Sequence, residues 1–426
     1  MKKGVPVLLL GLAVLVGGSL LLPVKGQEEK SLPEPHWVED LNATLTNEMS
    51  SMPAMDSVVD SFLTFWSLKG ASLSIVRKDS LVYARGYGWA DEAAREPMTP
   101  GTLLRMASVS KLLTAVGIMK LQEDSLLNLQ SPVFGPYGLL SEYPFKDDDY
   151  CLITVEHLLR HQGGFSQRGG DPMFSTLSNM ASFGLSAPPD QETLVRKLLQ
   201  RRLAFVPGTG QEYSNFGYLL LSMIIEKVSG MSYADFMQQN VFAPAHCHGF
   251  RIAGNWADDR HPGETRYYMQ PDSEPCPAYD GSGRQVVRCY GGNDITTLSG
   301  AGAWVGSTPE LARIVASIDG LDPVPDILSP FSVYQMTQRL SDEIYSLGWN
   351  DCTVDGEWTR SGSFSGTNAL VKVFPDGEIW VFISNTSAWR GSRFARNIGR
   401  FMENLRGRFS SKLPRRDLFQ EELSLN

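Results

Sequence analysis

Apolar residues alternate or run together in two places near opposite ends of the chain. Ala71-Ser72-Leu73-Ser74-Ile75-Val76 and Leu81-Val82-Tyr83-Ala84-Arg85-Gly86 read as two strands joined by a tight Lys78-Asp79 turn. Ala369-Leu370-Val371-Lys372-Val373-Phe374 and Glu378-Ile379-Trp380-Val381-Phe382-Ile383 form a second pair. Pro375-Asp376-Gly377 connects that pair, with φ fixed at Pro and positive φ tolerated at Gly. Between the hairpins the apolar period is helical. Leu219, Leu220, Met223, Ile224 and Val228 share one face, which Gly230 ends, and Ser232 caps the next helix three residues before Asp235. Phe394, Ile398, Phe401, Met402 and Leu405 mark a closing helix.

Strands first, helices in the middle, strands and a helix last predict one interleaved domain whose sheet is assembled from both chain ends. The fold class expected is α/β of the α+β type: an antiparallel sheet flanked by helices, plus a mostly helical subdomain. The expected boundaries are a linker over 27–57, the domain over 58–406 with a helical region inserted at about 130–290, and a charged, peripheral tail over 407–426. Residues 1–26 stand apart. Lys2 and Lys3 precede an uncharged stretch from Gly4 to Val24, followed by Lys25-Gly26. That pattern is an export signal, or an anchor if it is left uncleaved, and places the body periplasmic, secreted or otherwise extracytoplasmic.

Composition narrows the function. Of 426 residues 42% are hydrophobic and 20% charged, and 38 basic against 47 acidic residues give a net charge of −9. Without a long basic run this is not a nucleic-acid binder. Five cysteines are too few for a disulfide scaffold. Cys276 and Cys289 flank a turn-rich stretch that one bridge would close, while Cys151, Cys247 and Cys352 read as buried small apolar residues.

Two motifs carry chemistry. Ser108-Val109-Ser110-Lys111 stands directly before the apolar stripe Leu112, Leu113, Val116 and Met119. A Ser and a Lys three residues on share a helix face, so the amine can sit beside the hydroxyl. Ser is a poor nucleophile alone, and Lys assists it only if burial or another cation lowers its pKa, or if it relays a proton. Of the thirteen lysines only Lys111 has Ser three positions before it. Tyr213-Ser214-Asn215, the only Tyr-x-Asn, follows Pro207-Gly208-Thr209-Gly210. Tyr213 can pass protons, and Asn215 can position a substrate amide or hold the Lys.

With these motifs the chain resembles the serine β-lactamase-like hydrolases, from about Ala71 to Asn404. Further stretches carry the likeness: Thr102 to Ala107 leading into Ser108; His157-Leu158-Leu159-Arg160-His161-Gln162-Gly163-Gly164, with Gly163 where relatives often have Ser; Gly302 to Pro309; and Gly348-Trp349. The family's third motif, Lys-Thr-Gly or His-x-Gly, is matched by Arg360-Ser361-Gly362-Ser363. The resemblance implies a two-step acyl transfer. Ser108 attacks a carbonyl, Lys111 and Tyr213 share the proton transfers in an order the motifs leave open, and the Ser108 and Ser363 N–H groups hold the oxyanion. Arg360 keeps the positive charge of the third motif and is expected to bind a substrate carboxylate, but it cannot exchange a proton near neutral pH.

The resulting expectation is an exported serine hydrolase acting on D-amino-acid or cell-wall-derived peptides, peptidoglycan fragments among them. Esterase or β-lactamase action is the alternative within the class, and a catalytically inactive peptidoglycan- or partner-binding protein is the alternative outside it. No motif calls for a cofactor or a metal: Gly-x-Ser-x-Gly is absent, His157 lacks the following Glu of a zinc helix, and His246-Cys247-His248 reads as a packed loop. Membrane contact is expected only through the N-terminal segment if it stays uncleaved. Trp304, Trp349 and Trp358 could line a substrate cleft, although core packing is the commoner fate of such residues.

Overall fold

The computed structural model describes residues 36–341 and 344–420, so the segment read as a signal or anchor lies outside the described residues. Among the described residues no helix is long and apolar enough to cross a membrane. The first expected hairpin is β1 (Gly70–Arg77) and β2 (Ser80–Asp91). Lys78 and Asp79 both take positive φ (48° and 57°), the turn geometry that matches strand twist. After β3 (Glu96–Pro97) and β4 (Leu104–Arg105) the chain enters the helical region. That region contains the short strands β5 (Arg251–Ile252), β6 (Cys276–Pro277), β7 (Gln285–Val286) and β8 (Trp304–Gly306). The chain then returns to the main sheet through β9 (Asp351–Cys352), β10 (Trp358–Phe364), β11 (Thr367–Val373) and β12 (Ile379–Ser384).

The main sheet runs β3-β2-β1-β12-β11-β10-β9. Its central seam joins the chain ends: β1 pairs antiparallel with β12, Ala71 opposite Ser384 and Val76 opposite Ile379. β11 and β12 are buried along their whole length and β1 along all but its last residue, because both faces are covered. On one face Leu73, Ile75, Trp380 and Phe382 pack with Met55, Val59 and Leu63 of the helix Pro53–Trp66 and with Ile398, Met402 and Leu405 of the helix Ala395–Phe409. On the other face Val371, Val381 and Ile383 join the core of the helix Ser110–Glu123 and the helical region beyond it. β4, β8 and β5 form a small second sheet under the helices. Trp304 and Trp349 are wholly buried, and Trp358 lies half-buried 5.7 Å from Trp349. Trp304 and Trp349 therefore fill core rather than line a cleft.

Three expectations are corrected. The stretch read as a linker is packed from Trp37 on: Asp40 caps a helical turn at Leu41–Thr44, and Val38, Leu41 and Leu45 are buried. A few apolar residues spaced through a polar run were enough to seat it. The tail is likewise anchored, since Leu413 and Phe419 are buried and Phe419 O accepts from Val38 N–H at 2.9 Å. Finally, Cys276 and Cys289 are separate buried thiols, Cys276 being held in the β6–β7 pair opposite Val286, while Cys151 is exposed rather than buried.

One buried guanidinium clasps both flanks of the domain. Arg313 donates from Nη1 to Val38 O (3.2 Å) and His246 O (3.0 Å) and from Nη2 to Phe419 O (2.7 Å), with the rings of Trp37 and Phe419 against it. Arg313→Ala leaves the Val38 and His246 carbonyls without their donor while Phe419 O keeps Val38 N–H, so the expected loss is about 2 to 3 kcal/mol of unfolding free energy. Urea titration measures it, and an unchanged midpoint would mean that Arg313 does not hold the flanks.

Candidate active site

Ser108 owes its position to a strained turn. The chain leaves β4, passes Ala107 at φ 48°, makes the single 3-10 turn Ala107–Val109 and enters the helix Ser110–Glu123. A residue with a Cβ in the left-handed region is costly and persists only where its surroundings fix it. Here they do: Met106 N–H donates to Trp304 O (2.9 Å), Thr367 Oγ1–H donates to Arg105 O (2.8 Å), and Arg360 Nε–H donates to Ser108 O (2.8 Å). β10 lies flush against this turn. A Cβ at Gly362 would stand 2.3 Å from Met106 O and 3.0 Å from Ser108 N, so a larger residue there must push strand and turn apart.

The β10–β11 pair then decides what faces Ser108. Phe364 opposite Thr367 closes the tight turn at Ser365-Gly366. Ser361 N–H points away from β11, donating to Asn350 Oδ1 (2.6 Å). By the two-residue alternation of an antiparallel ladder, Ser363 N–H points the same way, free of the β11 ladder. The Ser363 hydroxyl turns aside to Asn368 Oδ1 at 3.2 Å.

The sequence candidates converge on one point. Ser108 Oγ, half-buried, accepts from Tyr213 Oη–H at 2.9 Å and lies 3.3 Å from Lys111 Nζ. Lys111 is wholly buried and donates to Asn215 Oδ1 (2.6 Å) and to Ala301 O. Asn215 opens the long helix Asn215–Ser229, which Ser214 caps by accepting Gly217 N–H, so Asn215 holds the lysine. Burial drives the Lys111 amine well below the ordinary lysine range; the Arg360 charge pushes the same way and Asp171 opposes. Burial raises the Tyr213 phenol, against a downward pull from Arg360 and from its bond to Ser108. A neutral amine satisfies this environment completely, with two N–H donors for Asn215 and Ala301 and a lone pair for the Ser108 hydroxyl.

Arg360 differs from expectation. Its guanidinium is wholly buried, with Nε committed to Ser108 O, Nη2 3.5 Å from Tyr213 Oη and Nη1 without a hydrogen-bond partner among the described residues. It braces the serine turn from beneath instead of standing at an open rim.

Sequence reasoning missed Asp171 and Ala301. Asp171 Oδ2 accepts from Asn215 Nδ2 at 2.5 Å. Ala301 O reaches the lysine because the 3-10 stretch Thr296–Ala301 is broken at Ser299 (φ 42°, ψ −119°), with Gly300 O tied to Thr114 Oγ1 at 2.7 Å. Neither sits in a motif. His161 lies under Tyr213 with ring centroids 4.4 Å apart, its Nδ1 accepting from Ser214 N–H. Burial, followed by the charges of Lys111 and Arg360, drives its pKa well below the usual histidine range, so it stays neutral. His246 packs on Trp37.

Residues 55–401 match the family model Beta-lactamase, and the chain belongs to that family of β-lactamase-fold serine hydrolases. It is 34% identical to Penicillin-binding protein 4* of Bacillus subtilis (strain 168) over 174 residues, 40% of this chain and 35% of that protein. It is 28% identical to Esterase EstB of Burkholderia gladioli over 260 residues, 60% of this chain and 61% of the esterase. The chain thus spans less than two thirds of the length of either curated relative. Its fold superposes on the D-amino acid amidase from Ochrobactrum anthropi SV3 with a TM-score of 0.64 and 19% identity, covering 83% of this chain and 100% of that one.

Because Arg360 opposes protonation of Lys111, its removal has a signed effect. Arg360→Gln raises the lysine pKa, so the acid limb of the pH–rate profile moves to higher pH. The profile of Ser108 labelling by a fluorophosphonate reads this directly, and an unmoved limb would show that Arg360 does not tune the amine.

Proposed function

We propose that the chain is an extracytoplasmic serine hydrolase that forms an acyl-enzyme on Ser108 and acts on D-amino-acid or cell-wall-derived peptides and amides. The observation that carries the chemistry is Ser108 Oγ standing between Lys111 Nζ at 3.3 Å and Tyr213 Oη at 2.9 Å. Neutral Lys111 takes the Ser108 proton as Oγ bonds to the substrate carbonyl carbon. The oxyanion rests on the N–H groups of Ser108 and Ser363. Tyr213, kept as a phenol by burial, gives its proton to the leaving nitrogen and recovers one from the Lys111 ammonium. The C–N bond breaks, leaving the acyl group on Ser108. Water then attacks the ester carbon, its proton passing to the same base, and as the Oγ–acyl bond breaks the base returns that proton to Ser108 Oγ and the carboxylic acid leaves.

The substrate class draws support from the named relatives, a penicillin-binding protein and a fold neighbour that is a D-amino acid amidase. Ester hydrolysis is the second reading. The match to an esterase covers the larger share of this chain, and a buried Arg360 leaves no open clamp for a carboxylate. Export rests on Lys2 and Lys3 ahead of the uncharged stretch Gly4 to Val24.

Intact-mass spectrometry after incubation with a fluorophosphonate and, separately, a penicillin tests the reading. One fluorophosphonate adduct on Ser108, absent in Ser108→Ala, is the expected result, and Lys111→Ala should slow its formation about 10²- to 10⁴-fold. Penicillin labelling favours the cell-wall peptide substrate, and labelling by fluorophosphonate alone favours the ester reading. No adduct on folded protein would overturn the enzyme reading in favour of a binding protein.

A further inference from the structure

We infer that Asp171 is a positioning residue for Lys111: its carboxylate fixes the Asn215 amide so that Oδ1 faces the amine. This rests on the acyl-enzyme reading above and names a residue that the motifs do not contain. The two ends of an amide are alike in shape but opposite in hydrogen bonding. Turned over, Asn215 would set its NH₂ against the N–H groups of Lys111, donor against donor, and the amine would lose the contact that aims its lone pair. A carboxylate only accepts, so a carboxylate behind Asn215 admits one orientation.

The contacts form that chain. Asp171 Oδ1 accepts Met173 N–H at 2.9 Å, Asp171 Oδ2 accepts Asn215 Nδ2 at 2.5 Å, and Asn215 Oδ1 accepts Lys111 Nζ at 2.6 Å. Asp171 reaches this place through Gly169 and Gly170, both at positive φ (87° and 103°), a pair of conformations that side chains disfavour. Its backbone is fixed in turn, with Asp171 O accepting from Ser175 Oγ at 2.7 Å. The short turn Pro172–Phe174 that Asp171 caps lies against the long helix, so cap and clamp are one residue. Asp171 also acts on Lys111 through space, favouring the ammonium where Arg360 opposes it.

The test is the rate of Ser108 labelling by a fluorophosphonate in the full chain, followed across pH for Asp171→Ala and Asp171→Asn, with thermal unfolding of each. Asp171→Ala frees the Asn215 amide and should lower the high-pH plateau about tenfold or more. Asp171→Asn has one oxygen for two donors, Met173 N–H and Asn215 Nδ2, so it no longer selects the orientation of the Asn215 amide and should lower the plateau as well. Its acid limb should move to lower pH, because a charge that favoured the ammonium is gone. Should Asp171→Ala fail to fold, the position of the limb in Asp171→Asn decides alone. A plateau for folded Asp171→Ala within about twofold of wild type, or a limb in Asp171→Asn that stays or moves upward, would overturn the assignment. Wild-type protein that takes no label would overturn the acyl-enzyme reading, and this assignment with it.

Discussion

The Lys111 amine is wholly buried and, among the described residues, has no carboxylate in ion-pairing contact, and the arrangement of the domain answers to that burden. A buried ammonium without a partner is strongly disfavoured, so the group resolves its burial by favouring the neutral form. Its contacts come from Asn215 at the head of the long helix and from Ala301 in a broken 3-10 stretch, while the charge that opposes its proton comes from Arg360 in β10. Each of these belongs to a different part of the chain. The base therefore exists only when sheet and helical region are assembled, and burial makes it available by keeping it unprotonated, at the expense of basicity.

Buried guanidiniums perform the assembling. Arg105 donates to Cys289 O and Gly254 O, Arg313 to the carbonyls of Val38, His246 and Phe419, and Arg360 to Ser108 O. Arg105 and Arg313 each gather carbonyls from segments far apart in the chain, and Arg360 ties β10 to the Ser108 carbonyl. Arg105 is further stacked 4.2 Å from the Tyr267 ring, whose hydroxyl donates to Glu264 at 2.8 Å. Arginine suits this work because its charge is fixed and its hydration weak. These three residues act as rivets, and only one of them also touches the reacting groups.

How much was legible in the sequence follows from how local each signal is. The two hairpins, the cap at Ser232 and the helix stop at Gly230 were readable because turn chemistry and period act over a few residues. Ser108, Lys111 and Tyr213 were readable because two short motifs carry them. Asp171 and Ala301 were not, since nothing in their neighbourhood distinguishes one Asp after two glycines or one alanine carbonyl from many others. The depth of Arg360, the packing of Val38 and Leu41, and the seating of Phe419 all depend on what lies across the fold. A polar run with a buried residue every few positions looks like a linker until its partner surface is known.

The β1–β12 seam has a consequence in time. A ribosome delivers Ala71 early and its neighbour Ser384 near the end of the chain, so β1 spends most of synthesis with an unpaired edge. The two core faces around that seam close only when the last strand arrives, a connection of long loop-closure entropy. The sheet thus completes itself only once β12 has followed β1 out of the ribosome, and pairing with β12 becomes a condition for burying the first hairpin.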